Sequence, residues 1–78
     1  MQDTMTTGLS GGREAKLRYG DGDFEVQRHG DHVVCAVTGR RVPLAELRYW
    51  SVTRQEAYAD AYAATEAYRR AMAAGEGF

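Results

Sequence analysis

His29, His32 and Cys35 follow one another at intervals of three in the run HGDHVVC. Two imidazoles and a thiolate would supply three zinc ligands and leave a fourth position open, as catalytic zinc sites do. Residues three apart on a strand point to opposite faces, however, so the three could converge only around a bend. The stretch that follows, CAVTGRRVPLAELRYWS (35–51), opens like a zinc knuckle, but Cys35 is the sole cysteine and Thr38 stands where a second thiolate would be. Near the expected helix start, Ser51, Thr53 and Gln55 offer no zinc ligand. The sequence therefore predicts turn histidines and a packed cysteine, with no metal and no cofactor. Cys35 lies between Val34 and Ala36 with no adjacent base to activate it, and a Cys–His pair through His32 lacks an orienting third residue. No catalytic residue is predicted, and the chain reads as a non-enzyme.

Arginine supplies the other chemistry. Arg40, Arg41, Arg48 and Arg54 stand against Glu46 alone, a local balance of 4 − 1 = +3 in a chain whose net charge is −1. Arg40 and Arg41 fall at a turn tip, where guanidinium groups suit phosphate or an acidic protein surface. Nucleic acid is thus a possible partner, though a balance of 10 basic to 11 acidic residues does not favour it. The short glycine turns match no phosphate-loop pattern.

The elements that must position these groups belong to one small domain. A chain of 78 residues buries only about 60–65% of its unfolded surface, so its margin of stability is thin. One cysteine rules out an internal disulfide and suits a reducing cytoplasm. No apolar run reaches the roughly 18 residues that span a bilayer, and the N-terminus lacks the charged and apolar regions of a secretory signal. Residues 1–12, rich in Thr, Ser and Gly, are expected as a flexible tail, 13–75 as the folded domain and 76–78 as a flexible end.

Alternation in AKLRY (15–19) and FEVQR (24–28), joined by GDGD, predicts a β-hairpin with Leu17, Tyr19, Phe24 and Val26 inward. VVCAV (33–37) reads as a third strand buried on both faces. Pro43 confines Val42–Leu44 to an edge, and Tyr49 and Trp50 favour an extended 46–51, although a helical turn fits as well. Val52 to Ala74 has no Gly or Pro and is alanine-rich, which predicts a long helix capped by a Thr53/Glu56 box and ended by Gly75. Tyr58, Ala61, Thr65, Tyr68 and Met72 repeat at helical spacing, with Tyr62 beside them, as its inward stripe. A helix of that length, roughly 30 Å, would overrun strands of about 17 Å. Either its last two turns fray or its Tyr68/Met72 face meets another chain, a partner protein or a second copy.

The expected fold is α+β: a small antiparallel sheet of three to four strands crossed by one long C-terminal amphipathic helix. Its core would set Leu17, Tyr19, Phe24, Val26, Val34 and Leu47 against Trp50, Tyr58, Ala61, Tyr62 and Thr65. Trp50 reads as an anchor of helix to sheet. The segment GDHVVCAVTGRRVPLAELRYWSVTRQEAYADAYAA (30–64) resembles a small, chiefly alphaproteobacterial family known as domain of unknown function 2093, through its CAVTG, VPL, ELRYWS and RQEAY blocks. AKLRYGDGDFEVQRHGD extends the likeness upstream. The resemblance implies a small cytoplasmic protein and assigns neither activity nor catalytic residues. Taken together, these features predict a non-enzymatic protein-interaction module, with nucleic-acid binding through the arginines or a degenerate zinc-binding hairpin as the alternatives.

Overall fold

A computed structural model describes residues 12–78; all but the last residue of the N-terminal tail expected at 1–12 lies outside the described residues. The hairpin forms where alternation placed it. Strands β1 (Lys16–Tyr19) and β2 (Phe24–Arg28) pair antiparallel, with Leu17 and Tyr19 buried and Lys16 and Arg18 exposed. Strands β3 (His32–Val34) and β4 (Arg41–Pro43) form a second pair. A 3-10 turn over Leu44–Glu46 leads to a third pair, β5 (Tyr49–Ser51) with β6 (Glu56–Tyr58), and helix α1 (Ala61–Ala73) closes the order.

The architecture is α+β, but the strands make three separate two-stranded pairs where one sheet of three to four strands was expected. Single parallel bridges link them. Glu14 bridges His32, and Cys35 bridges Ala57. Ala15 N–H donates to His32 O at 2.7 Å, Asp31 N–H to Arg13 O at 2.9 Å, and Ala36 N–H to Ala57 O at 2.9 Å. Short strands with few ladder bonds place the burden on side chains, and the core runs through all three pairs: Leu17, Tyr19, Val33, Cys35, Val42, Leu47, Ala57 and Tyr58. The 33–37 segment is not buried on both faces, since Val34 is exposed and pairing ends with the Cys35 bridge. The 46–51 stretch divides, Glu46 ending the 3-10 turn and Tyr49 opening a strand.

The helix is 13 residues, not the long element expected from Val52. Residues 52–55 form the β5–β6 turn, and Gln55 sits there at φ 52°, a left-handed conformation that costs an ordinary residue about 1–2 kcal/mol. Its side chain offsets that cost. The Gln55 carboxamide accepts from Tyr19 N–H at 2.9 Å and donates to Tyr19 O at 2.8 Å and Val52 O at 2.7 Å. Trp50 reinforces the same junction, its Nε1–H donating to Gly20 O at 2.8 Å while its ring meets Tyr19 at 5.9 Å and Phe24 at 5.7 Å. Trp50 thus anchors one hairpin to another, where a helix anchor was expected. These bonds hold 49–58 as a hairpin against its local helical tendency.

Asp60, not Thr53, caps α1: its carboxylate accepts Ala63 N–H at 2.8 Å. Asp60→Ala should therefore lower stability by about 1 kcal/mol, whereas Thr53→Ala should fall within about 0.5 kcal/mol of wild type. Urea unfolding of the two variants checks this, and the reverse ranking would restore the earlier start. At the other end Gly75 takes φ 73°, with Glu76 N–H bonded to Ala71 O and Gly75 N–H to Met72 O. This is the stop expected of that glycine.

The inward face of α1 is the alanine row Ala63, Ala67 and Ala71. The stripe expected there is turned outward: Tyr62 is 87% exposed and Tyr68 and Met72 50% each, with Ala61 and Thr65 exposed beside them. Alanines let the helix backbone come close to β5 and β6, which longer side chains would hold off. Val26 is half-exposed, so the expected core keeps Leu17, Tyr19, Leu47 and Tyr58, with Phe24 and Trp50 partly buried. Residues 76–78 return to the domain instead of trailing from it. Phe78 stacks on Tyr58 at 5.8 Å and meets Tyr68 edge-on at 5.4 Å, and its carbonyl accepts from the Ser51 hydroxyl at 2.9 Å.

Candidate functional site

The His29–His32–Cys35 set is not assembled. His32 is buried with Nδ1 2.7 Å from the Asp31 carboxylate, while His29 is exposed. Among the described residues no three His, Cys, Asp or Glu side chains lie together as a metal-holding group. The Asp31 carboxyl is held below the usual carboxylate range chiefly by its hydrogen bond to His32, with the nearby Arg41 adding to the effect.

Cys35 has its own surroundings. It is 2% exposed, and its turn is closed by Gly39 N–H to Cys35 O and Cys35 N–H to Arg40 O, both 2.9 Å. Thr38 N–H points at Sγ from 3.4 Å. Burial pushes the thiol up, but the Thr38 hydroxyl and the amides of Thr38, Ala59 and Val37 reverse this, leaving it below the ordinary thiol value. Neither histidine hydrogen-bonds to the sulfur, so a Cys–His nucleophile is not formed.

The arginine group divides. Arg40 reaches Asp60 at 3.3 Å, and Arg54 reaches Glu76 at 2.9 Å and Glu56 at 3.4 Å. Arg41, exposed on β4, is likewise engaged. Arg48 is exposed with no ion pair to a described residue. Two of the four are thus neutralised by carboxylates far away in sequence. Arg54 also keys the β5–β6 turn, its N–H donating to Ser51 Oγ at 3.1 Å. Beside it the Tyr58 hydroxyl, fully buried, donates to Glu56 at 2.9 Å, and burial pushes that phenol well above its ordinary value.

The outer face of α1 remains. At about 100° per residue, Tyr62, Thr65, Arg69, Met72 and Tyr68 share one side, opposite the alanine row. Glu66 borders this stripe and is bonded to Arg69 at 2.8 Å and Arg70 at 2.7 Å, which lowers its carboxyl through the Arg69 bond first. Tyr68 leans on Phe78, whereas the Tyr62 ring makes no aromatic contact with a described residue. The sequence had marked Tyr68 and Met72 for an interface, and both are half-exposed. It passed over Tyr62 as buried, although an aromatic preceding an alanine row at i, i+4, i+8 was the available signal.

One family description fits these blocks: the model of the uncharacterised proteins conserved in bacteria, DUF2093, matches residues 26–67. The chain belongs to this family. The DUF2093 match begins inside β2, takes in β3 to β6 with Trp50, Gln55 and Tyr58, and ends within α1 after Tyr62. Tyr68, Met72 and all of β1 lie outside it. No curated protein and no solved structure matches the chain. No helix among the described residues is long and apolar enough to cross a membrane.

Proposed function

We propose that the protein is a non-enzymatic interaction module of the cytoplasm that docks a partner protein on the outer face of α1. The observation that carries this reading is Tyr62, 87% exposed on α1, on the same side as Met72 and flanked by Tyr68. Tyrosine and methionine are enriched at protein interfaces, and a few such side chains supply most of the binding energy. The occupant is an apolar segment of another protein. A helix of 13 residues is about 20 Å long, and its one face falls well short of the roughly 800 Å² per partner of a stable complex between whole domains, which suits a short segment better than a second copy of this domain. The lone buried thiol suits a reducing compartment, and the turn that holds it is a knuckle in which packing and amide–sulfur bonds stand in for a metal.

A photo-crosslinking residue at position 62, introduced in cells, tests this. A discrete adduct with another protein is expected, absent when the crosslinker sits at Gln27 and reduced at least tenfold by Met72→Ala. An adduct with a second copy, or equal adducts from both positions, would overturn the reading.

A further inference from the structure

Past the stop at Gly75 the chain lies in a groove between the β5–β6 hairpin and the end of α1, and residues 76–78 fill it as a ligand would. The Glu76 carboxylate accepts from the Arg54 guanidinium at 2.9 Å, and the same Nη1 donates to Gly77 O at 3.5 Å. Phe78 O accepts from the Ser51 hydroxyl at 2.9 Å. The Phe78 ring lies flat on Tyr58, with 10° between the planes, and meets Tyr68 edge-on. The walls are set by bonds that do not involve the occupant. Glu56 accepts from the Tyr58 hydroxyl at 2.9 Å and from Arg54 Nε at 3.4 Å, which fixes the ring and leaves the other edge of the guanidinium for the groove. Ser51 Oγ accepts from Arg54 N–H at 3.1 Å, so its own hydrogen serves the occupant.

The occupant is held less firmly than the walls. Tyr58 and Ser51 are buried, whereas Glu76 and Gly77 are exposed and Phe78 is half-buried, and a surface ion pair such as Arg54–Glu76 contributes little. Arg54 and Glu56 also line a cavity of about 180 Å³ with Ala36, Val37, Ala67 and Arg70, a lining that includes none of 76–78. There is room beside Arg54 for a longer segment.

We infer that this groove is a peptide-binding site, in which 76–78 stands in for an extended segment of another protein that carries a carboxylate two residues ahead of an aromatic ring. An oriented guanidinium captures the carboxylate, and stacked and edge-on rings capture the aromatic. Arginine and tyrosine together are also the composition of interface hot spots. A second copy of this chain is the poorer occupant, because Glu76 N–H is bonded to Ala71 O and Gly75 N–H to Met72 O. Carrying 76–78 to another copy's groove would undo the stop of α1, whereas a partner segment needs only the Glu76 side chain and residues 77–78 to swing aside. The site is separate from the outer face of α1: Tyr62 is not part of it, and Tyr68 borders both.

Amide chemical shifts of the full chain, titrated with the end-blocked peptide acetyl-Ala-Glu-Gly-Phe-Ala-amide, test this. In wild type the tethered segment competes at an effective concentration on the order of millimolar, so binding is expected to be weak. Phe78→Ala uncovers the Tyr58 ring and should bind the peptide about tenfold more tightly, with saturable shifts at Ser51, Arg54 and Tyr58. Alanine in place of the peptide's phenylalanine should cost about tenfold. Glu76→Gln loosens only the exposed part of the segment and should gain about twofold over wild type, and it carries the test if Phe78→Ala does not fold. Crosslinking at position 62 reads the other surface, so each reading can fail without the other. No saturable shift in the folded variants, or equal binding of the two peptides, overturns the inference. So does a wild-type dimer in sedimentation that is lost in Phe78→Ala, which would assign the groove to a second copy.

Discussion

Gly30→Ala should remove about 3–5 kcal/mol of stability, the larger of the two strongest effects the fold implies. Between the first two strand pairs the backbone of Arg13 to Ala15 crosses directly over Gly30. A Cβ there would overlap Arg13 O and Ala15 N and lie 2.6 Å from the Glu14 carbonyl carbon. All three are main-chain atoms, so no side chain can swing aside. The crossing is also clamped on both sides, by Asp31 N–H to Arg13 O and Ala15 N–H to His32 O. Room for the methyl comes only by parting those bonds, the link that joins β1–β2 to β3–β4. Overpacking costs about 1–3 kcal/mol, and two lost hydrogen bonds add about 1 kcal/mol each. A domain of 78 residues holds about 4–12 kcal/mol in all. Gly22, with nothing within 4 Å of its own added Cβ, is the matched control and should tolerate alanine within about 0.5 kcal/mol. Denaturant unfolding followed by Trp50 fluorescence compares them, and equal midpoints would mean that the crossing is looser than its hydrogen bonds imply.

What the sequence made legible and what it hid divide along one physical line. The β1–β2 hairpin was readable because one face is buried and the turn chemistry is local: alternation reports the first and GDGD the second. Gly75 was readable for the same reason, since a left-handed stop is a property of one residue. The start of α1 was not. Residues 52–74 hold a plausible capping box and a run of alanine, and nothing nearby reveals that Gln55 and Trp50 bond to Tyr19 and Gly20, 36 and 30 positions away. Tertiary bonds overrode a real local preference.

The orientation of the helix failed for a different reason. Large residues at helical spacing were read as the buried stripe, but in a domain this thin the helix must approach closely, and Ala63, Ala67 and Ala71 do that better. The arginines failed for a third. Their charge was evident, while the carboxylates that neutralise Arg40 and Arg54 come from 20 and 22 residues on.

Trp50→Ala should cost about 3 kcal/mol, the low end for removal of a large aromatic because the ring is half-buried. The loss has two parts that separate experimentally. Trp50→Phe keeps a ring between Tyr19 and Phe24 but leaves Gly20 O without the indole donor, which should cost about 1 kcal/mol. The remainder is ring contact. Gln55 acts on the same edge of β1, so the two residues should not be independent. Gln55→Ala alone strips both polar groups of Tyr19 of a partner while keeping the backbone strain at φ 52°. In a Trp50→Ala background the edge has already come away from β5–β6, and Gln55→Ala should then cost less than it does alone, by about 1 kcal/mol or more. Amide exchange locates the event: the Tyr19 N–H should lose protection in either single variant before the β3–β4 amides do. Additivity within about 0.3–0.5 kcal/mol, or uniform loss of protection across all three strand pairs, would mean that the hairpins unfold as one unit and that the Trp50–Gln55 junction is not a separable hinge.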